Sequence, residues 1–473
     1  MKLALKSLTF VYLIGISISL LCCNGSNQQN NTEESSEADH AITNTNVISM
    51  KGEEIQNNQT VLIKEGKIVK IGDADKVKVP EGTTEIDGNG KYLMPGLAEM
   101  HAHIPGNQNG EEIVEETLFL YLSNGITTIR GMLGQPYHLE LKEKVNKGEM
   151  LGPRIYTSGP SLNGNTVPDT AIARKMVTEQ KEAGYDFLKL HPGIKLDVFN
   201  EIVETANEVG ITFAGHVSTD VGIRRAIEAK YASIDHVDGY LEGLVPESAG
   251  VDPGANGFFG INFTNLADES MIPELAKATK EANVWVVSTQ CLMERWAGPG
   301  DPEALGAEEE MQYMSPQVIS SWVNRKKNFI ADENYSVETA NKFNEIRRRI
   351  IKALHDEGVG LILGSDAPQI FNVPGFSIHH ELKSMIDSGL TPYETLKTGT
   401  ANPAIYFDAE GSFGTVEEGA SADLILLNSN PLESIENVKN KAGVMVRGKW
   451  LSEKEIQENL KQIAYKHANS EGK

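Results

Sequence analysis

Two histidines separated by one residue, His101-Ala102-His103, close an apolar run that begins at Leu97. Residues two apart on a strand leave the same face, so both imidazoles point one way. Neutral imidazole nitrogens bind zinc at about 2.0–2.1 Å, and two fixed on one strand end supply half of a four- or five-coordinate shell. The chain holds 11 histidines, so chance alone can produce one such pair, and its weight rests on what accompanies it. Four more residues of ligand type, Lys189, His216, His236 and Asp366, each stand at the end of a short apolar stretch.

The elements that must position these residues follow from the pattern after Met94, where short apolar stretches alternate with longer helical ones, the signature of repeated βα units. Strand candidates fall at 97–103, 126–132, 154–159, 187–191, 212–217, 233–238, 285–290 and 361–366. Eight is the number a closed (β/α)8 barrel requires, and such barrels place their active sites at the C-terminal strand ends. Helical patterns lie between them, for example at 111–123, 171–183, 196–209 and 342–357, with glycine at or just after several ends. His101 and His103 then end strand one, Lys189 strand four, His216 strand five, His236 strand six and Asp366 strand eight.

Each residue has a plainer reading taken alone. A single histidine is commonly a satisfied core or surface residue, Lys189 can snorkel from its apolar context, and Asp366 can cap a helix. Together these readings require six coincidences of position.

The expected architecture is an α/β (β/α)8 barrel over 95–409 with a small discontinuous β-sandwich built from 41–94 and 410–452, and a C-terminal helix over 453–473. The sandwich rests on β-rich runs between 42 and 93, with a hairpin turn at Lys64-Glu65-Gly66-Lys67, and on returning strands at 422–427 and 443–450. Two connections are long. The one at 239–283 is rich in Pro and Gly, and the one at 291–341 carries Trp296, Tyr313 and Trp322. These aromatics fit either an apolar lid or the packing of an insertion; the expectation tested below is that Trp296 or Trp322 covers bound substrate.

A net charge of -23 and a pI near 5.0 lack the clustered basic footprint of a nucleic-acid binder and read as solubility. Lys2 and Lys6 precede an apolar run from Leu8 to Leu21 that has the length of a signal-peptide core. It ends at Cys22-Cys23, and the polar tract 24–40 that follows reads as a disordered tether. Segment 1–23 resembles a bacterial lipoprotein signal, with Cys22 or Cys23 as the lipidated residue, although Leu21 replaces the small residue usual before Cys22. An ordinary cleaved signal is the alternative, and either implies export. Only Cys291 remains beyond this segment, which leaves no internal disulfide framework.

The motifs Pro95-Gly96-Leu97 running into His101-Ala102-His103, the strand-four lysine, the two later histidines and Gly364-Ser365-Asp366-Ala367 resemble the amidohydrolase superfamily. The likeness continues through Thr391-Pro392, Asn402-Pro403 and Glu418-Gly419-Ala420-Ser421-Ala422-Asp423-Leu424. Within the superfamily the chain is similar to the binuclear, prolidase-like branch, whose members hydrolyse dipeptides or related amides. It departs from the common pattern at Glu99, where an aspartate often precedes the His-x-His, and that position is not a ligand.

The resemblance implies two divalent metal ions, zinc expected, with Lys189 carboxylated by CO2 to bridge them. It gives His101, His103 and Asp366 to the first ion and His216 and His236 to the second, with a bridging hydroxide as nucleophile and Asp366 as proton carrier. A small-molecule amide substrate and a membrane reached through the lipid anchor are the partners implied, with no nucleic acid and with a homo-oligomer allowed. For substrate contacts, Tyr240 and Arg130 can meet a carboxylate and His191 can face the pocket. Arg130 serves a structural ion pair equally well, and His191 a supporting role.

Two rivals share the superfamily: a cyclic amide hydrolase and a mononuclear deaminase. The deaminases carry His-x-x-Glu on strand five, where this chain has Thr219 three residues after His216. A rival of another class is a catalytically inactive, lipid-anchored binding protein. No Gly-rich phosphate loop, Gly-x-Ser-x-Gly or His-Glu-x-x-His motif supports a different hydrolase chemistry.

Overall fold

The computed structural model describes residues 37–469. The signal segment with Cys22 and Cys23, and the tether up to residue 36, lie outside the described residues. Strands β1 (His40–Ile48), β2 (Ile55–Lys64), β3 (Lys67–Asp73), β4 (Thr84–Asp87) and β5 (Tyr92–Pro95) open the described chain. Their β-branched and apolar residues include Ile42, Val61, Ile63 and Ile68, all fully buried. The two-residue loop Glu65-Gly66 joins β2 to β3, with Lys64 opposite Lys67.

Next come β6 (Leu97–Ala102), β7 (Ile126–Gly131), β8 (Arg154–Thr157), β9 (Phe187–Leu190), β10 (Thr212–Gly215), β11 (Ser233–Asp235) and β12 (Trp285–Val287). The chain ends with β13 (Leu424–Leu427), β14 (Lys441–Val446), β15 (Lys449–Ser452) and the helix Glu453–Asn469. That helix turns Ile456, Leu460 and Ile463 inward at helical spacing and packs them with Val444 and Leu451.

The terminal strands join edge to edge in one sheet of order β15-β14-β13-β5-β1-β2-β3, with β4 also paired to β1. The expected two layers arise by curling. Residues 419–422 bond to β3 (Gly419 N to Ile68 O, 2.8 Å; Ile68 N to Ala420 O, 2.9 Å), and the same segment then becomes β13 beside β5. The curl encloses a small core that includes Ile42, Val61, Leu93, Leu424 and Met445.

Parallel ladders join β6-β7-β8 and β9-β10-β11-β12, and single bridges complete the ring. Ser158 bridges to Phe187, Val286 to Leu361 and Ala102 to Ala367. The eighth segment, 361–367, is therefore an extended connector rather than a regular strand, bonded on one side to β12 and on the other to β6 (Met100 N to Leu363 O, 2.8 Å; His103 N to Ala367 O, 2.9 Å). The helix before it spans Val337–Asp356, starting earlier than its apolar period indicates, because the Ser336 hydroxyl accepts Thr339 N–H as an N-cap.

Sheet and barrel meet at Gly96, whose N–H donates to Asp423 O at 2.8 Å. A Cβ there would stand 2.1 Å from Thr127 Oγ1 of β7, so only glycine lets the chain turn from β5 into β6. Among the described residues no helix is long and apolar enough to cross a membrane.

Candidate metal centre

All six ligand-type residues converge at the C-terminal mouth of the ring. His103 Nε2 stands 2.6 Å and His101 Nε2 3.6 Å from Asp366 Oδ1. Ligand atoms of these three residues lie within 4.8 Å of one another, close enough to share one ion. The other histidines adjoin ring to ring, His101 to His236 at 4.4 Å and His236 to His216 at 4.5 Å between centroids. Lys189 sits among them, fully buried, with Asp235 Oδ2 at 3.5 Å.

The backbone is strained where it delivers these groups. Asp366 (φ 62°), His236 (φ 64°) and Thr289 (φ 42°) all adopt the left-handed region, which costs non-glycine residues roughly 1–2 kcal/mol. Such strain persists where surrounding bonds hold it and tends to gather at functional sites. Here the bonds are visible. Asp366 N donates to His101 O at 3.1 Å, and Arg347 donates to the His236 carbonyl at 2.6 Å. Buried Glu99 accepts from His101 N (3.0 Å) and Ser365 N (2.8 Å) through Oε1 and from the Ser365 hydroxyl (2.6 Å) through Oε2, tying strand one to the residue before Asp366.

Further groups orient the rings. His216 Nδ1 is 3.0 Å from Asp238 Oδ2, which also accepts Val217 N–H at 3.2 Å. His236 Nδ1 is 2.8 Å from Thr289 Oγ1. Asp235 Oδ2 lies 3.0 Å from His101 Nδ1, though without the alignment of a hydrogen bond.

Burial, reinforced by neighbouring cationic groups, holds His101 and His236 well below the ordinary histidine range and brings His216 down to about 3. Burial likewise lowers Lys189, against the pull of Asp235 and Asp366. Neutral imidazole is the metal-binding form, and a lysine that has shed its proton is the form that reacts with CO2. The fit to a cation is supported by two buried nitrogens, Lys189 Nζ and His236 Nε2, that have no hydrogen-bond partner among the described residues. An unsatisfied buried polar atom costs about 1–3 kcal/mol, which a bound cation would relieve.

Two of the three residues expected to contact substrate are engaged elsewhere. Arg130 is fully buried inside the barrel, donating to Met100 O (2.6 Å), Ser233 Oγ (2.9 Å), Tyr406 Oη (2.8 Å) and Asp235 Oδ1 (3.1 Å). It serves the structural ion pair, because the Asp235 carboxylate below the site needs a counter-charge. Tyr240 is buried with its hydroxyl 2.8 Å from Thr279 Oγ1 on the helix Ile272–Glu281, away from the mouth. His191 stays at the site, stacked 5.0 Å from His216 with its Nδ1 2.6 Å from Ser161 Oγ.

The aromatic cover also differs from expectation. Trp322 is buried 6.2 Å from Phe371 in a separate core, and Trp296 packs 4.6 Å from Phe258. A phenylalanine ring instead adjoins the histidines: Phe259 lies 5.4 Å from His236 and 5.8 Å from His216. Asp235, Asp238, Thr289 and Phe259 were missed by the sequence reading. Asp235 and Asp238 flank His236 within four residues, a spacing that carries a signal, whereas Thr289 and Phe259 reach the site only through the fold.

The Amidohydrolase family profile matches residues 92–451. The ochratoxinase of Aspergillus niger is 23% identical over 445 residues, covering 80% of this chain and 79% of that protein. Among solved structures, a bottromycin amidohydrolase superposes with a TM-score of 0.69 at 19% identity, covering 90% of each chain. A Xaa-Pro dipeptidase with methionine bound in its active site superposes at 0.63 and 19% identity, over 87% of this chain and 99% of that one. A family profile spanning most of the chain, laid over a ring that gathers histidines, a lysine and an aspartate at its C-terminal mouth, makes this protein a hydrolase of the amidohydrolase family.

Proposed function

We propose that the protein hydrolyses the C–N amide bond of dipeptides or related small amides, in the manner of a Xaa-Pro dipeptidase, with two divalent metal ions of which zinc is the expected kind. The observation that carries this reading is Lys189: fully buried, with Asp235 Oδ2 at 3.5 Å but no aligned hydrogen-bond partner among the described residues, and near enough to His101, His216 and His236 to reinforce burial in holding all three imidazoles neutral. A mononuclear deaminase has no use for such a lysine. Carboxylated by CO2, Lys189 would present one oxygen to each side and join His101, His103 and Asp366 to His216 and His236. Bound metals would supply Lewis acidity toward the amide carbonyl and bring the pKa of water toward about 7.

The chain's own groups do the rest. The rings of His216 and His236 are held by Asp238 and Thr289, so their free nitrogens keep one direction. Asp366, on the strained turn at the mouth, takes the proton of the attacking water on its carboxylate and returns it to the departing amine nitrogen. Glu99, accepting from the backbone of His101 and of Ser365, holds the segment carrying Asp366 against strand one.

Purified protein loaded with zinc and offered a library of Xaa-Pro and general dipeptides should cleave a subset, and chelation should abolish the cleavage. Deamination of nucleobases with no dipeptide cleavage would overturn the reading.

The mature protein is further proposed to be an exported lipoprotein tethered through Cys22 or Cys23, on the strength of Lys2, Lys6 and the apolar run before the cysteines. Replacing both cysteines with serine should move the protein from the membrane to the soluble fraction. Unchanged fractionation would remove the anchor.

A further inference from the structure

We infer that Phe259 is the specificity wall of the substrate pocket and selects an apolar group beside the scissile bond, an inference that rests on the amide-hydrolase reading above. Phe258 and Phe259 are consecutive and their rings meet edge to face at 4.8 Å, but their other neighbours differ. Phe258 packs on Trp296 (4.6 Å) and Phe329 (5.5 Å), while Phe259 packs on His236 (5.4 Å) and His216 (5.8 Å).

The backbone makes the split. Phe259 itself sits at φ 48°, ψ 40°, between Gly257 (φ 71°) and Gly260 (φ 82°). A phenylalanine in that left-handed region is strained, because its Cβ crowds the following carbonyl oxygen. The strain is held from below. Asn256 Nδ2 donates to Glu242 Oε1 at 2.7 Å, and Gly260 packs so tightly on the same carboxylate that a Cβ would stand 2.9 Å from it. The loop thus spends stability to present one half-buried aromatic face at the mouth, and that face carries no hydrogen-bonding atom. Its complement is an aliphatic or aromatic side chain on the substrate, which a glycine residue lacks. Burying such a side chain contributes about 1.5–3 kcal/mol, or roughly tenfold or more in affinity.

The test is binding of the hydrolysis products, which reads the wall whether or not any dipeptide is turned over. Calorimetric titration of zinc-loaded full-length protein with L-leucine and with glycine should show leucine bound at least tenfold tighter. In Phe259→Ala the ratio should fall below about threefold, with metal content by elemental analysis unchanged, and Phe259→Tyr, which keeps the ring, should retain the preference. Equal binding of the two amino acids by the wild type, no binding of either, or an unaltered ratio in Phe259→Ala would overturn the assignment. Failure of the amide-hydrolase reading is seen separately, as absence of turnover across the dipeptide library.

Discussion

The two halves of the histidine cluster are built differently. His101, His103 and Asp366 contact one another directly, their ligand atoms gathered by one strand end and the adjoining connector. Among the described residues, His216 and His236 lean on separate neighbours, Asp238 and Thr289, with Asp366 Oδ2 3.9 Å from His236 Nδ1. The first half gathers its polar atoms on one another, whereas in the second each ring is oriented by its own side-chain neighbour. Lys189 is buried beside both, and it is the group proposed to join them.

That contrast is broken most completely at Lys189. Lys189→Ala should reduce metal content from near two ions per chain to one or none and lower activity by about a thousandfold or more, with partial rescue by short carboxylic acids. Lys189→Arg should fail as well, since a guanidinium stays charged. Full activity with one ion in Lys189→Ala would assign the cluster to a mononuclear site.

The two aspartates sharpen the comparison at the next level. Asp366→Asn should leave a folded protein whose kcat is lower by about 10²–10⁴, because its carboxylate is the proposed proton carrier. Asp238→Asn should instead weaken retention of a single ion by about 10–100-fold in a chelator competition, with its effect confined to the His216 half. Thr289→Ala should act in the same half and more mildly, by about tenfold or less, as expected for loss of one neutral hydrogen bond. If Asp238→Asn and Asp366→Asn weaken both ions equally, the halves are not separable.

A control away from the mouth has the smallest effect. At Glu310 burial opposes ionisation, but hydrogen bonding and the charges of His380 and Arg295 outweigh it and bring the carboxyl down to about 2. A folded-state pKa below the unfolded value means stability present above pH 4.5 and lost as pH falls toward 2. Glu310→Gln should flatten this acid limb by under about 2 kcal/mol in chemical denaturation series, with metal content untouched at neutral pH. An unchanged acid limb would show that the His380 contact contributes nothing to folding.

Much of the barrel was legible because βα units announce themselves by local pattern. The convergence of the six ligand-type residues was legible because each ends its own apolar stretch, so position along the chain already fixed height in the barrel. The sheet's curl was not legible, since it depends on 419–422 bonding to β3 far away in sequence. Arg130 and Lys189 illustrate the limit. Both are basic residues on barrel strands, and both are fully buried. Arg130 points into a nest of acceptors formed by Met100, Ser233, Tyr406 and Asp235, whereas Lys189 lies among histidines with Asp235 Oδ2 at 3.5 Å and Asp366 nearby. Nothing adjacent to either residue in the chain distinguishes the two environments.

The sequence by itself determined which residues share a strand face, since side-chain direction alternates with a period of two whatever surrounds the strand. It therefore determined the paired direction of His101 and His103, and the barrel order that carries the other ligand-type residues. Only the tertiary structure decided which strand ends adjoin, which acceptors surround each buried basic residue, and which aromatic ring packs beside the histidines. Ring closure through the 361–367 connector brings together residues hundreds of positions apart, and the strained turn at Phe259 depends on Glu242 beneath it. Partners of that kind are fixed by packing in three dimensions, which no local periodicity encodes.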